Sequence, residues 1–142
     1  MQSRATAQWE GDLMSGKGKT SAGSGTFRDA ALSWKARTEG AASSTTPEEL
    51  LAAAHASCFS MALSNGLAKD GHAPRRLETT CTVEFGPKQG GGFEVKSSLL
   101  EVEGDVPGFD NAGFQKAAED AKAGCPISGA LKIPITLRAS LK

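Results

Sequence analysis

Four side chains in this sequence are of types that can act together on a peroxide bond: Cys58, Cys125, Arg37 and Glu48. A free cysteine is ordinarily a small apolar side chain buried for packing alone. Cys58 departs from that expectation because His55, Ser57 and Ser60 surround it in an otherwise apolar stretch, which suggests that a pocket opens there. Cys125 lies between Gly124 and Pro126, where a helix ends and the chain is free to move. A thiolate attacks one peroxide oxygen and an alcohol leaves with the other. Apolar burial opposes this by raising a thiol's pKa, so a permanent cation nearby is needed to favour the thiolate. Arginine keeps its charge, and its planar fork also binds a carboxylate, so Glu48 can hold Arg37 in place. The oxidised product is a sulfenic acid, which condenses with a neighbouring thiol to a disulfide that an external dithiol reopens.

Other chemistries fit the same residues less well. Cys81 falls on the inward face of a strand and is expected to pack in the core. His55, Cys58, His72 and Cys125 number four potential zinc ligands, but their spacing matches no common zinc pattern. His55 and Cys58, three apart on a helix, can touch as a base and a nucleophile, yet no third group orients them. Gly16-Lys17-Gly18-Lys19 lacks the spacing of a phosphate loop and reads as a turn. An alternative of a different class stays open: a non-catalytic dimer that binds a small ligand in an apolar pocket or senses oxidants.

The element that must position Cys58 is a long helix. Thr46-Pro47-Glu48-Glu49 starts it, with Thr46 as N-cap, Pro47 at the first helical position and Glu49 completing a capping box. The two carboxylates favour the N-terminal end of the helix dipole. The helix is predicted to run to about Lys69, with Asp70-Gly71 ending it. No charge occurs between Glu49 and Lys69, so the helix is apolar all round and has to be covered on every side. The uncharged run Leu50–Ala68 is long enough to span a bilayer. Its alanines and its His55, Ser57, Ser60, Ser64 and Asn65 instead read as the core helix of a soluble protein. One modest domain covers such a helix poorly, which points to a partner subunit. Glu48 and Cys58 are ten residues apart, about 15 Å along the axis at 1.5 Å per residue. Two such helices crossing at a two-fold axis would bring Glu48 of one chain to Cys58 of the other, giving a homodimer with shared sites.

Around this helix the pattern predicts an α+β fold. Ala5–Glu10, Thr20–Phe27 and Ala31–Thr38 are read as a β-meander. Leu77–Phe85 and Phe93–Val102 form a hairpin, the first with Leu77, Thr79, Cys81, Val83 and Phe85 on one face. Asp110 caps a helix over Asn111 to about Ala123, Ile127–Leu131 adds a short helical turn, and Ile133–Leu141 closes the chain as a strand. Residues 1–142 are expected to form one domain, large enough to bury a core without disulfides or metal. Sixteen basic residues balance sixteen acidic ones and no basic block stands out, which argues against nucleic acid. Met1–Asp12 has no apolar signal core. An odd count of three cysteines with no secretory signal indicates a reducing, cytoplasmic setting, where a disulfide is catalytic or transient rather than structural.

Several motifs together resemble the osmotically inducible protein C (OsmC) family, sister to the organic hydroperoxide resistance (Ohr) proteins. They are Trp9-Glu10-Gly11-Asp12, Arg37-Thr38-Glu39-Gly40, Thr46-Pro47-Glu48-Glu49-Leu50, His55-Ala56-Ser57-Cys58-Phe59-Ser60-Met61-Ala62-Leu63 and Lys122-Ala123-Gly124-Cys125-Pro126-Ile127-Ser128. The resemblance covers about Ala5 to Leu141, and the run around Cys58 is closer to the OsmC subgroup. It implies an intertwined homodimer with long helices at its centre. It implies a peroxidase that reduces organic hydroperoxides, and hydrogen peroxide more weakly, protecting against oxidative and osmotic stress. By motif match, Cys58 is the peroxidatic thiol, Cys125 its resolving partner in a Cys58–Cys125 disulfide, and Arg37 and Glu48 the activating pair. A lipoyl-type dithiol is the implied reductant, and no metal, haem, flavin, nucleic acid or membrane is implied.

Overall fold

The computed structural model describes all of residues 1–142. It opens with an antiparallel meander of β1 (Ala5–Glu10), β2 (Lys17–Ala22) and β3 (Ala30–Leu32), in that spatial order. Gly18 pairs with Trp9, and a Cβ there would stand 2.6 Å from the Gln8 carbonyl oxygen and 2.7 Å from the Trp9 ring, so only glycine lets the indole lie across β2. β2 is shorter than the predicted Thr20–Phe27 and starts earlier.

The predicted strand Ala31–Thr38 is corrected. It stops at Leu32, and Trp34–Glu39 form helix α1. The Ser33 hydroxyl accepts the Ala36 N–H at 3.0 Å as N-cap, and Gly40, at φ 78°, donates its N–H back to the Ala36 carbonyl at 3.0 Å. Alternation over so few residues is compatible with either element, and caps at both ends decide it.

Helix α2 (Pro47–Lys69) has the predicted bounds. The Thr46 hydroxyl accepts the Glu49 N–H at 3.0 Å, whereas the Glu49 carboxylate takes the Thr45 hydroxyl at 3.0 Å instead of closing the other half of the capping box. At the far end Gly71, at φ 83°, turns the chain, and the His72 N–H reaches the Leu67 carbonyl at 2.8 Å.

The chain forms two compact units, Met1–Leu50 and Leu51–Lys142. The second adds β4 (Arg76–Pro87) and β5 (Phe93–Asp105), an antiparallel hairpin with a bulge at Glu84/Phe85, then α3 (Asn111–Gly124), α4 (Pro126–Ala130) and β6 (Ile135–Leu141). β6 lies parallel to β5, giving the order β4-β5-β6. Asp110 caps α3 through the Gly113 N–H at 2.6 Å. The core of this unit is Phe59, Leu63 and Leu67 of α2, Leu100 and Val102 of β5, and Phe114, Ala118 and Ala121 of α3. Each fully buried large side chain here contributes about 1.5–3 kcal/mol. A Cβ on Gly104 would stand 2.5 Å from the Phe114 ring, so the glycine lets α3 seat its largest side chain against the sheet.

α2 is long and apolar enough to cross a membrane, but His55, Phe59, Leu63 and Leu67, four residues apart, form a stripe buried in this core. Ala53, Ala54, Ser57 and Met61 remain exposed on it, Met61 at 73%. The α+β class follows the expectation from sequence.

Candidate functional site

In the first unit the cation and the anion meet. Arg37 sits on α1 and Glu48 in the first turn of α2. Arg37 donates from Nε to both carboxylate oxygens at 3.2 Å and from a terminal nitrogen to Oε1 at 2.7 Å. Glu48 is buried, so the carboxylate is held by a charge-assisted fork rather than by water. The α1 helix, unforeseen from the sequence, is what carries Arg37 to this fork. The guanidinium also borders an apolar cavity of about 310 Å³ lined by Trp9, Leu13, Leu32, Trp34 and Pro47.

In the second unit two of the three thiols meet. Cys58 is half-buried on α2; Cys125 is buried at the junction of α3 and α4, followed by Pro126 at the start of α4. The two thiols are near enough to shift one another's pKa. Burial pushes the Cys58 thiol up, the Ile127 N–H pulls it down, and the Cys125 sulfur raises it again. Burial also works to raise Cys125, but the Ser128 N–H, the Cys58 thiol, the Ser128 hydroxyl and the Ile127 N–H together outweigh it and hold Cys125 below the ordinary thiol range. The Cys125 thiol makes no strict capping hydrogen bond, yet the N–H groups that open α4 point their positive ends at its sulfur. In the lone protomer Cys58 is thus the harder of the two thiols to deprotonate.

His55 turns away from nucleophilic or zinc duty. Its Nδ1 meets the Ser98 hydroxyl at 2.8 Å and its Nε2 the Ser128 hydroxyl at 2.8 Å, so both ring nitrogens are engaged. Burial lowers its pKa, which disfavours the charged ring. His72, the other histidine, stacks on Phe109 at 4.5 Å between centroids, so the four possible zinc ligands are not gathered. Cys81 packs against the core from β4, as its strand face predicted, and its sulfur lies 3.2 Å from the Ser98 hydroxyl. Burial pushes its thiol up. Sequence reasoning missed Ser98 and Ser128. The available signal was a serine at an inward position of an apolar strand and another three residues after Cys125.

Comparison with known proteins places these features in context. Residues 40–140 match the family model described as OsmC-like protein. A peroxiredoxin OsmC of Escherichia coli (strain K12) is 43% identical over 139 residues, covering 98% of this chain and 96% of that protein. An organic hydroperoxide resistance protein of Xanthomonas axonopodis pv. citri is 34% identical over 96 residues, 66% of this chain and 65% of that protein. Among solved structures, an organic hydroperoxide resistance protein from Elizabethkingia anophelis superposes with a TM-score of 0.77 at 24% identity, covering 98% of this chain and 96% of that one.

Proposed function

This chain belongs to the OsmC-like protein family, and we propose that it is a thiol-dependent peroxidase that reduces organic hydroperoxides to alcohols, and hydrogen peroxide more weakly, in the cytoplasm. The observation that carries this reading is the pair of neighbouring thiols that shift one another's pKa, one on a helix and one at a helix junction. In the first step the Cys58 thiolate forms a bond to one peroxide oxygen and the O–O bond breaks. The alkoxide leaves and takes a proton, giving alcohol and Cys58 sulfenic acid. In the second step the Cys125 sulfur attacks the Cys58 sulfur, the S–O bond breaks, and the hydroxyl leaves as water with the thiol proton. An external dithiol of the lipoyl type then reduces the Cys58–Cys125 disulfide by exchange.

Arg37 supplies the fixed positive charge that the first step needs, because burial and the Cys125 sulfur otherwise keep Cys58 protonated. Glu48 holds the guanidinium in place. Ten residues of helix separate Glu48 from Cys58, so the pair is supplied by the partner subunit of a homodimer. The uncharged, exposed face of α2 around Met61 supports that assembly.

The test is a thiol count. One equivalent of cumene hydroperoxide per reduced chain is added, thiols are titrated after denaturation, and disulfides are mapped by mass spectrometry. The expected result is a fall from three free thiols to one, with Cys58 joined to Cys125. Three surviving thiols would overturn the peroxidase reading in favour of a small-ligand-binding dimer. A single oxidation with no turnover on added dithiol would indicate an oxidant sensor.

A further inference from the structure

A two-thiol mechanism needs its second sulfur held within bonding range of the first. A disulfide closes only when the two Cα atoms stand about 4.4–6.8 Å apart, and a misplacement of order 1 Å slows such a step about hundredfold. Cys58 is carried by α2, a helix seated in the core through Phe59, Leu63 and Leu67. Cys125 is carried by the junction of α3 with α4, and α4 has only five residues, Gly129 among them. The backbone hydrogen bonds around α4 close on the same segment. Gly129 donates to the Cys125 carbonyl at 3.0 Å, and Leu131 to the Ile127 and Ser128 carbonyls at 3.2 Å. A helix this short does not hold its own place and depends on side chains that tie it to its neighbours.

One such tie is apolar, from Ile127, which packs with Cys58 against the buried cluster that contains Cys125. The other is polar. Ser128 Oγ of α4 meets His55 Nε2 at 2.8 Å, while His55 Nδ1 meets Ser98 Oγ of β5 at 2.8 Å. His55 and Ser98 are fully buried and Ser128 nearly so. A broken link would leave a polar atom unpaired in the interior, which penalises any displacement of α4. Its place in the chain matters as much as its burial. His55 is three residues before Cys58, and Ser128 is three residues after Cys125. Residues three apart share one face of a helix, so the imidazole leaves α2 beside Cys58. The Ser98 bond stops the ring from turning about its own axis. The imidazole is therefore a strut fixed to α2, steadied by β5 and ending on α4.

We propose that His55 is a positioning residue for the disulfide-forming step: by gripping Ser128 it seats α4 against α2, so that Cys125 stays in bonding range of Cys58. In that step the Cys125 sulfur bonds to the Cys58 sulfur, the sulfenic S–O bond breaks, and the hydroxyl leaves as water with the thiol proton. The ring takes no part in the attack on peroxide, because both its nitrogens are engaged whichever of them carries the proton. The role rests on the two-cysteine peroxidase reading and adds to it what sets the distance between the thiols.

Two near-isosteric substitutions separate the two bonds. An asparagine amide ends about where Nδ1 stood and keeps a partner for Ser98, whereas a glutamine amide ends about where Nε2 stood and keeps a partner for Ser128. The reduced full chain is mixed with one equivalent of cumene hydroperoxide and quenched in acid over time. Intact masses then resolve the sulfenic acid, with one added oxygen, from the disulfide, with two hydrogens lost, and yield a rate for each step. The expected result is that His55→Asn forms the sulfenic acid at the unsubstituted rate but closes the disulfide about tenfold more slowly, the factor for one lost buried hydrogen bond. His55→Gln is expected to restore most of the closure rate. A histidine with a merely structural role would lower the thermal melts of both variants and leave the ratio of the two rates unchanged. An unslowed closure in His55→Asn overturns the proposal, as does equal slowing in both variants or a loss that falls on sulfenic acid formation. If His55→Asn does not fold, Ser128→Ala and Ser98→Ala decide: slow closure in the first and not in the second upholds the role, and any other pattern removes it. An unsubstituted chain whose thiols stay unoxidised overturns the peroxidase reading and this role with it, whereas a Cys58–Cys125 disulfide that closes at one rate whatever stands at position 55 overturns this role alone.

Discussion

Replacing Glu48 with glutamine tests whether the Arg37–Glu48 pair is an activating device or an ordinary ion pair. Glu48→Gln preserves shape but removes the charge and one of the two acceptor oxygens that Arg37 grips. Leaving one member of a fully buried pair alone costs about 3–5 kcal/mol. The Arg37 side chain is 30% exposed and that of Glu48 7%, so water and the remaining amide oxygen recover part of the loss. The cost expected for losing charge-assisted hydrogen bonds in that setting is about 1.5–3 kcal/mol. At about 2–4 °C per kcal/mol for a chain of this size class, the melting temperature falls by roughly 3–12 °C. Activity suffers more than stability, because the guanidinium is no longer held in one place. A misplacement of order 1 Å lowers kcat/KM about hundredfold. The assay is hydroperoxide consumption coupled to dithiol oxidation, read beside a thermal melt. A double-mutant cycle with Arg37→Ala isolates the pair, since contacting residues are non-additive. Full activity in Glu48→Gln, with the melt lowered as expected, would refute the activating role and leave only a structural ion pair.

The other expectations concern the thiols and the core. Cys58→Ser abolishes peroxide consumption, whereas Cys125→Ser permits one oxidation, seen as a sulfenic acid by dimedone labelling, and then stalls with dithiols. Because burial lowers the His55 pKa from 6.5, the unfolded chain binds a proton that the folded one refuses. Stability is therefore full above about pH 6.5 and falls as the pH drops below it. Urea melts across that range should show the slope, and His55→Gln should flatten it while lowering stability at every pH. Gly104→Ala drives a methyl into the Phe114 ring and should cost about 1–3 kcal/mol by overpacking, read from the denaturation midpoint. Gly104→Ala combined with Phe114→Leu should recover part of that loss.

Much of this protein was legible in its sequence because the deciding signals are local. Thr46, Pro47 and the Asp70-Gly71 turn bound α2 within a few residues of where they act, and Asp110 does the same for α3. The period of two over Leu77–Phe85 gave the inward face of β4, with Cys81 on it. The uncharged run Leu50–Ala68 announced a helix that must be covered. Where local signals competed, the reading failed: Leu32, Trp34 and Ala36 alternate like a strand, but Ser33 and Gly40 close a helix around them. Such a short alternation carries less weight than two satisfied caps.

Tertiary structure decided the rest, because it depends on partners that are far apart in the chain. His55 meets Ser98 across 43 positions and Ser128 across 73, so no spacing rule could show that its ring is used up by two hydroxyls. The same folding sets the surroundings of the two thiols apart. Residue types alone make Cys58 the natural thiolate, but in the folded protomer the start of α4 and the Ser128 hydroxyl are brought to Cys125, and burial falls on Cys58 without equal compensation. Sequence sets which groups can ionise. Only the fold sets where each sulfur sits among dipoles and apolar walls, and that placement shifts the two thiols in opposite directions.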